Sequence, residues 1–314
     1  MFSFVRKVTA LAVISALSLF TAQAASAFPA GDTLYAIAYD TPREGTLKTV
    51  NTSTAATTII GTAGTGAGQN PGLSVGDTAQ GAYNPNEPTK GYWIFFDGTT
   101  KLASVNLATG TSTVIGPFGA PTDMVSIAIG ADGSAYGLDS AGSLFSINLQ
   151  TGAATLISTA PPASVAAFAY NPADSTFYAA TASKLWSVDV STGVFTQVQT
   201  GFPANVRSIA FDADGVLWGT QSTSFILFTT TVVANTVATI TTVSNTGINS
   251  QSLFIKYVPV TPPAPAPTPV TPANPTLANT GINQATAWTI GVGGAVIVIG
   301  GAVLLLAARR NKRS

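Results

Sequence analysis

The sequence predicts an all-β fold, a β-propeller of five blades, each of four antiparallel strands. Three observations carry this. A Leu-x-x-Val/Ile-Asn/Asp core recurs at Leu47–Asn51, Leu102–Asn106, Leu144–Asn148 and Leu185–Asp189. After the last three, a Thr-Gly pair follows at a fixed offset (Thr109-Gly110, Thr151-Gly152, Thr192-Gly193) and opens another β-rich run. Upstream lies a second hairpin signature built around a repeated Ala at 82, 128, 169 and 210, spaced by 46, 41 and 41 residues. Alternating apolar residues broken by a Gly-containing turn mark a hairpin. Four such strands every 40–45 residues is the period of a propeller blade.

The first copy starts at Leu34-Tyr35-Ala36-Ile37, which matches the second strand of the other copies, so it lacks an opening strand. A large loop is expected at Gly61 to Gln80. The second copy reads Gly81-Ala82-Tyr83, Asn84-Pro85, then Tyr92-Trp93. In the third, fourth and fifth, Ile127-Ala128-Ile129, Phe168-Ala169-Tyr170 and Ile209-Ala210-Phe211 each precede a polar turn and a second strand at Ala135-Tyr136, Phe177-Tyr178 and Leu217-Trp218. The fifth is degenerate, because Phe225 to Val243 has no Thr-Gly turn. Ser252 to Tyr257 stands 44 residues after Ser208 with no hairpin behind it. It is expected to complete the first blade, which closes the ring and removes the free sheet edges. A malformed sixth blade is the alternative count.

The aromatics Tyr35, Trp93, Tyr136, Tyr178 and Trp218 recur at blade period and are read as core. Trp186, Phe95 and Phe96 fall outside that set; core packing is the first expectation for them, exposure the second.

The ends are not part of this pattern. Residues 1–27 read as a secretory signal: Arg6 and Lys7, then the apolar run Val8 to Phe20, then the small-x-small site Ala25-Ser26-Ala27, placing the mature start at Phe28. Residues 28–257 hold the propeller. Residues 258–276 form a linker with eight prolines in 19 residues, an extended spacer of about 60 Å at about 3.1 Å per residue. Residues 285–308 carry no charge and as a helix span about 36 Å, enough for a bilayer core of about 30 Å. Arg309, Arg310, Lys312 and Arg313 follow, and the positive-inside rule keeps them cytoplasmic.

Before that helix stands Leu277-Ala278-Asn279-Thr280-Gly281. Pentapeptide, apolar helix and basic tail, in that order over 277–314, resemble the sorting signal of Gram-positive surface proteins. The resemblance implies cleavage by a sortase between Thr280 and Gly281 and transfer of Thr280 to a cell-wall peptide amine. Ala278 stands where the usual motif has Pro, which resembles the variant of actinobacterial substrates. An ordinary single-pass membrane protein, with the helix retained, is the alternative. Both place residues 28–257 outside the cell. The repeats over 33–257 resemble those of secreted bacterial β-propeller proteins with Leu-x-x-Ile-Asp-x-x-Thr-Gly strands, a resemblance that implies the fold and not an activity.

Composition narrows the chemistry. The chain of 314 residues has no His and no Cys, which removes His-based triads, thiolate nucleophiles and His or Cys metal ligands. It carries 13 Lys+Arg and 13 Asp+Glu. Six of the cations lie in the signal and tail, so the displayed chain is 7 − 13 = −6, which argues against nucleic acid as a partner. A glycosidase needs converging carboxylates, and the innermost strands carry none. Asp212-Ala213-Asp214-Gly215 and Asp132-Gly133 are read as turns rather than calcium loops. No cofactor or metal is expected. The expected function is a surface-displayed, noncatalytic binding or adhesion module for a glycan or extracellular protein. Candidate rim residues are Asp40, Arg43, Glu44, Asp97, Asp123, Asp139 and Arg207. A carboxylate-dependent glycan hydrolase and a structural surface protein without ligand are the alternatives.

Overall fold

Local chemistry sets the hairpins. In each Leu-x-x-Val/Ile-Asn/Asp core the final Asn or Asp turns the chain: Asn51, Asn106 and Asn148 each accept two backbone N–H bonds from residues two and three places on, at 2.8–3.1 Å. Asp189 accepts the N–H and hydroxyl of Ser191. The turn then needs a left-handed residue, which Gly110, Gly152 and Gly193 supply at φ of 72–82°. The first copy makes the same turn without glycine: Ala55 takes that place at φ 59°. The Leu that opens each core is fully buried, at Leu47, Leu102, Leu144 and Leu185.

The structure, a computed structural model, describes residues 27–40, 44–60, 80–96, 99–120, 123–159, 165–221, 225–247 and 249–258. The expected signal before Ala27, the linker beyond Val258, the expected sorting motif and the apolar segment 285–308 lie outside them. In chain order the strands are β1 (Thr33–Asp40), β2 (Glu44–Val50), β3 (Thr57–Ile59), β4 (Ala82–Tyr83), β5 (Lys90–Phe96), β6 (Thr100–Asn106) and β7 (Ser112–Pro117). Then come β8 (Met124–Ile129), β9 (Ala135–Asp139), β10 (Leu144–Ile147), β11 (Ala154–Ser158), β12 (Val165–Asn171), β13 (Thr176–Thr181) and β14 (Lys184–Asp189). The last are β15 (Val194–Thr200), β16 (Val206–Phe211), β17 (Val216–Gln221), β18 (Ile226–Thr231), β19 (Thr236–Val237), β20 (Thr241–Asn245) and β21 (Asn249–Lys256).

They form five antiparallel sheets, the blades of a propeller. The first has the order β21-β1-β2-β3, so the C-terminal strand does supply its missing opening strand. The others are β4 to β7, β8 to β11, β12 to β15, and β16-β17-β18-β20. The degenerate fifth blade keeps the Leu position at Leu227, fully buried, but has Thr231 where the turn-forming Asn or Asp would stand. Its connection instead sends β19 to pair in parallel with β15 of the fourth blade, Gln199 with Thr236 and Thr200 with Val237.

Two bulges repeat around the ring. In the opening strands of four blades one extra residue is inserted, at Val125, Ala166, Arg207 and Gln251. In the fourth strands the extra residue is always β-branched: Ile115, Ile157, Val198 and Val243. Bulges increase local twist, and here all four of those side chains pack partly buried against the core.

The register corrects one aromatic. The residues paired with the axial position are Tyr35, Tyr92, Tyr136, Tyr178 and Trp218, so Tyr92 and not Trp93 is the periodic member. Trp93 is its neighbour on the opposite face and is wholly buried. Phe95 is buried as well, and Trp186 is half-buried, with the Lys184 ammonium 5.5 Å above its ring.

Candidate functional site

The opening strands β21, β4, β8, β12 and β16 surround the ring axis, and each lends three consecutive residues to an axial cavity. The repeated Ala82, Ala128, Ala169 and Ala210 all line it, as small side chains must where five strands converge. The fifth equivalent is Phe254. Its ring stacks on Tyr35 at 5.4 Å and fills the notch over Gly81 and Gly91, where a Cβ would come within 2.8 Å of it. The cavity offers about 30 Å³ to the centres of water molecules, room for about two waters.

Next to one end of the cavity lies Gln80, which is 1% exposed and bonds the lining residues Ile209 and Phe168. From the second blade its amide reaches three others: Nε2 donates to Ile209 O at 2.6 Å, while Oε1 accepts Ser126 Oγ and Phe168 N, both at 2.8 Å. Ser208 Oγ accepts Leu253 N at 2.7 Å at the same level. These contacts satisfy inner-edge backbone groups that no fifth strand can pair.

The other end is rimmed by tyrosines. Tyr83 and Tyr257 are buried, edge to face at 5.5 Å, and Tyr170 is half-buried. The Tyr257 hydroxyl is buried without a hydrogen-bond partner. Burial, and then the neighbouring Tyr170, Tyr83 and Asp32, push its pKa up. Burial likewise raises Tyr83, with Tyr35 and Asp32 adding to it.

Asp32 sits at this end, where both ends of the propeller domain emerge. Its Oδ1 accepts Val258 N at 2.9 Å and its Oδ2 accepts Ala213 N at 2.8 Å. One carboxylate thus ties the start of the first blade to the exit of β21 and to the fifth blade. Burial pushes its pKa up against these two bonds, and the charge of Asp214 adds to the rise. Asp212 is also raised, first by burial, although its carboxylate accepts Val216 N, Asp214 N and the Trp218 Nε1–H. The Asp-x-Asp-Gly segment is therefore engaged as a turn, as the sequence suggests. Among the described residues no group of three or more acids is placed to hold a metal.

The strand ends sort the predicted rim residues to the opposite end. The connections between second and third strands, and those between blades, all leave from the Gln80 end. Asp40 and Glu44 face each other across the β1–β2 connection. Arg43 and Asp97 lie outside the described residues. Asp123 and Asp139 are brought together around one turn: Asp123 accepts the Ser140 hydroxyl and Asp139 accepts Ser143 N at 2.7 Å. Arg207, half-buried, is the bulged residue of β16. Of the predicted signal cleavage residues, Ala25 lies outside the described residues and Ala27 is exposed. Phe28 packs edge-on against Trp218 at 5.4 Å. Leu277, Ala278, Asn279, Thr280 and Gly281 lie outside the described residues.

Sequence reasoning missed Gln80, Asp32 and Tyr257. The repeat carried a signal for the first: two places before the axial residue it reads Gln80, Ser126, Ala167, Ser208 and Ser252. Asp32 and Tyr257 belong to the seam and have no counterparts in the other blades.

No family model matches the chain, and no curated protein matches it. Among solved structures, the chain is similar to one in a crystal structure of a nidogen/laminin complex, at 10% identity and a TM-score of 0.47, over 72% of this chain and 98% of that one. It is similar to Kuenenia stuttgartiensis hydrazine synthase at 15% identity and 0.36, over 48% and 44%. Virginiamycin B lyase from Staphylococcus aureus matches at 13% identity and 0.38, over 63% and 62%. The propeller rests on the order of the sheets in this chain.

Proposed function

We propose that this chain is a noncatalytic binding module, displayed outside the cell and anchored by a sortase at Thr280, whose binding face is the Gln80 end of the propeller. The supporting observation is the polarity of the ring. The domain's first and last residues emerge together at the tyrosine end, joined by Asp32. The opposite end carries the connections between blades, clear of the exit at Val258. Loops on a rigid scaffold are the usual carriers of recognition. Among the described residues the lining of the axis includes no carboxylate, which favours binding over glycan hydrolysis, since that reaction needs two carboxyl groups about 5–10 Å apart across the scissile bond.

Two measurements test this. An array of glycans and extracellular-matrix proteins probed with the chain from Phe28 onward should show a ligand whose binding is lost when Asp123 and Arg207 are substituted together. Silence across both libraries would remove the adhesion reading. For anchoring, mass spectrometry of the cell-wall fraction should find Thr280 joined to a wall peptide, and Thr280→Ala should release the protein to the membrane or medium. Covalent attachment that survives Thr280→Ala would refute the sortase assignment.

A further inference from the structure

We propose that the tyrosine end of the axial cavity is a binding site for a primary ammonium group, held by the Tyr257 hydroxyl and inner-edge backbone carbonyls beneath the Asp32 carboxylate.

One acceptor is present and unspent. The Tyr257 hydroxyl is 94% withdrawn from solvent with its residue, lines the cavity, and has no partner. The strands supply more. Within a strand, the N–H and C=O of one residue point to the same side and alternate along the chain. Gln80 bonds Ile209 O and Phe168 N from the axis, so two places on, Phe211 and Tyr170 turn both N–H and C=O inward, the C=O nearer the tyrosine end because the strands run that way. Leu253 N meets Ser208 from the inner edge, which places Ile255 the same way. Three carbonyl oxygens nearer the tyrosine end, with the Tyr257 hydroxyl, offer acceptors for the three donors of an –NH3+ group.

Sign and size select the ligand. The charge nearest the mouth is negative: Asp32, with Asp212 and Asp214 beyond it, and the charge of Asp214 raises the pKa of both Asp32 and Asp212. Both oxygens of Asp32 and of Asp212 already accept N–H bonds. Among the described residues no group of three or more acids is placed to hold calcium or magnesium, which take six or more oxygens. A weakly coordinating cation is instead suited to phenol oxygens, carbonyls and aromatic faces. The space, about 30 Å³ for water centres, admits an –NH3+ tip and excludes a quaternary ammonium.

The experiment is thermal unfolding of the full chain in methylammonium chloride, sodium chloride and tetramethylammonium chloride at equal ionic strength. Methylammonium should raise the melting temperature in a saturable way, and the other two salts should not. Tyr257→Phe should weaken apparent methylammonium affinity at least about tenfold, while its melting temperature in sodium chloride stays at the wild-type value or above, since the hydroxyl it removes has no partner. Tyr136→Phe, a tyrosine of a second strand, should leave the methylammonium response intact. A parallel titration with Nα-acetyl-lysine amide separates a protein lysine tip from a free small amine as the source. Equal shifts in all three salts, or a methylammonium response that survives Tyr257→Phe, would overturn the proposal and leave the cavity holding water only.

Discussion

Gln80 is one side chain whose geometry exists only after the ring has closed. Its amide serves a donor and an acceptor on strands from the fourth and fifth blades and the Ser126 hydroxyl of the third. Truncation to alanine strands three buried polar groups, each worth about 1–3 kcal/mol when unsatisfied, and water entering the vacated space recovers part of that. We expect Gln80→Ala to lower stability by about 3 kcal/mol, read as a fall in the urea midpoint at unchanged slope. An unchanged midpoint would show that the amide bonds are dispensable. The sequence shows the small residues at the axis, because alanine repeats at 82, 128, 169 and 210. It does not show what Gln80 touches, because its partners lie 46, 88 and 129 residues away. Ala55 is a similar case. The sequence pattern demands a Thr-Gly pair, and the first copy makes the same left-handed turn with Thr54 and Ala55.

At the scale of elements, the seam between β21 and β1 is the informative one. The pairing itself was legible, since the first copy lacks an opening strand and the last strand lacks a partner. The fastening was not, because Asp32 reads as an isolated loop acid until Ala213 and Val258 are brought to it. Its pKa is raised in the fold above the ordinary 3.8. A carboxyl raised on folding contributes stability that is fully present below its unfolded value and is lost as pH rises through its folded value. Relative to Asp32→Asn, which cannot titrate at this position, the wild type should therefore gain stability as pH falls from 7 towards 4. Urea midpoints of the pair across that range measure the difference; a flat or opposite trend would show that the carboxylate is better accommodated charged than its burial implies. The fifth blade shows where element reading stops. The missing turn is visible in Phe225 to Val243, but that β19 crosses to the edge of the fourth blade depends on Gln199 and Thr200 being free to pair with it.

For the whole molecule, the count of five blades and their order followed from the alanine spacings of 46, 41 and 41 residues together with the first copy's missing opening strand, with a sixth blade as the alternative count. The difference between the two ends did not. It depends on which strand ends carry turns and which carry connections, and on the fact that the closing strand runs towards the tyrosine end. That direction has a mechanical meaning. β21 contributes consecutive residues along the axial cavity, so it runs along the axis, and the chain leaves it directly at Val258. When the loop end is held and the segment beyond Val258 is pulled, the force lies along β21. The strand is then loaded in shear against β1, with seven register pairs from Thr33–Lys256 to Tyr39–Asn249 resisting together instead of opening one by one. The same closure that hides the sheet edges thus loads its own seam in shear along the axis.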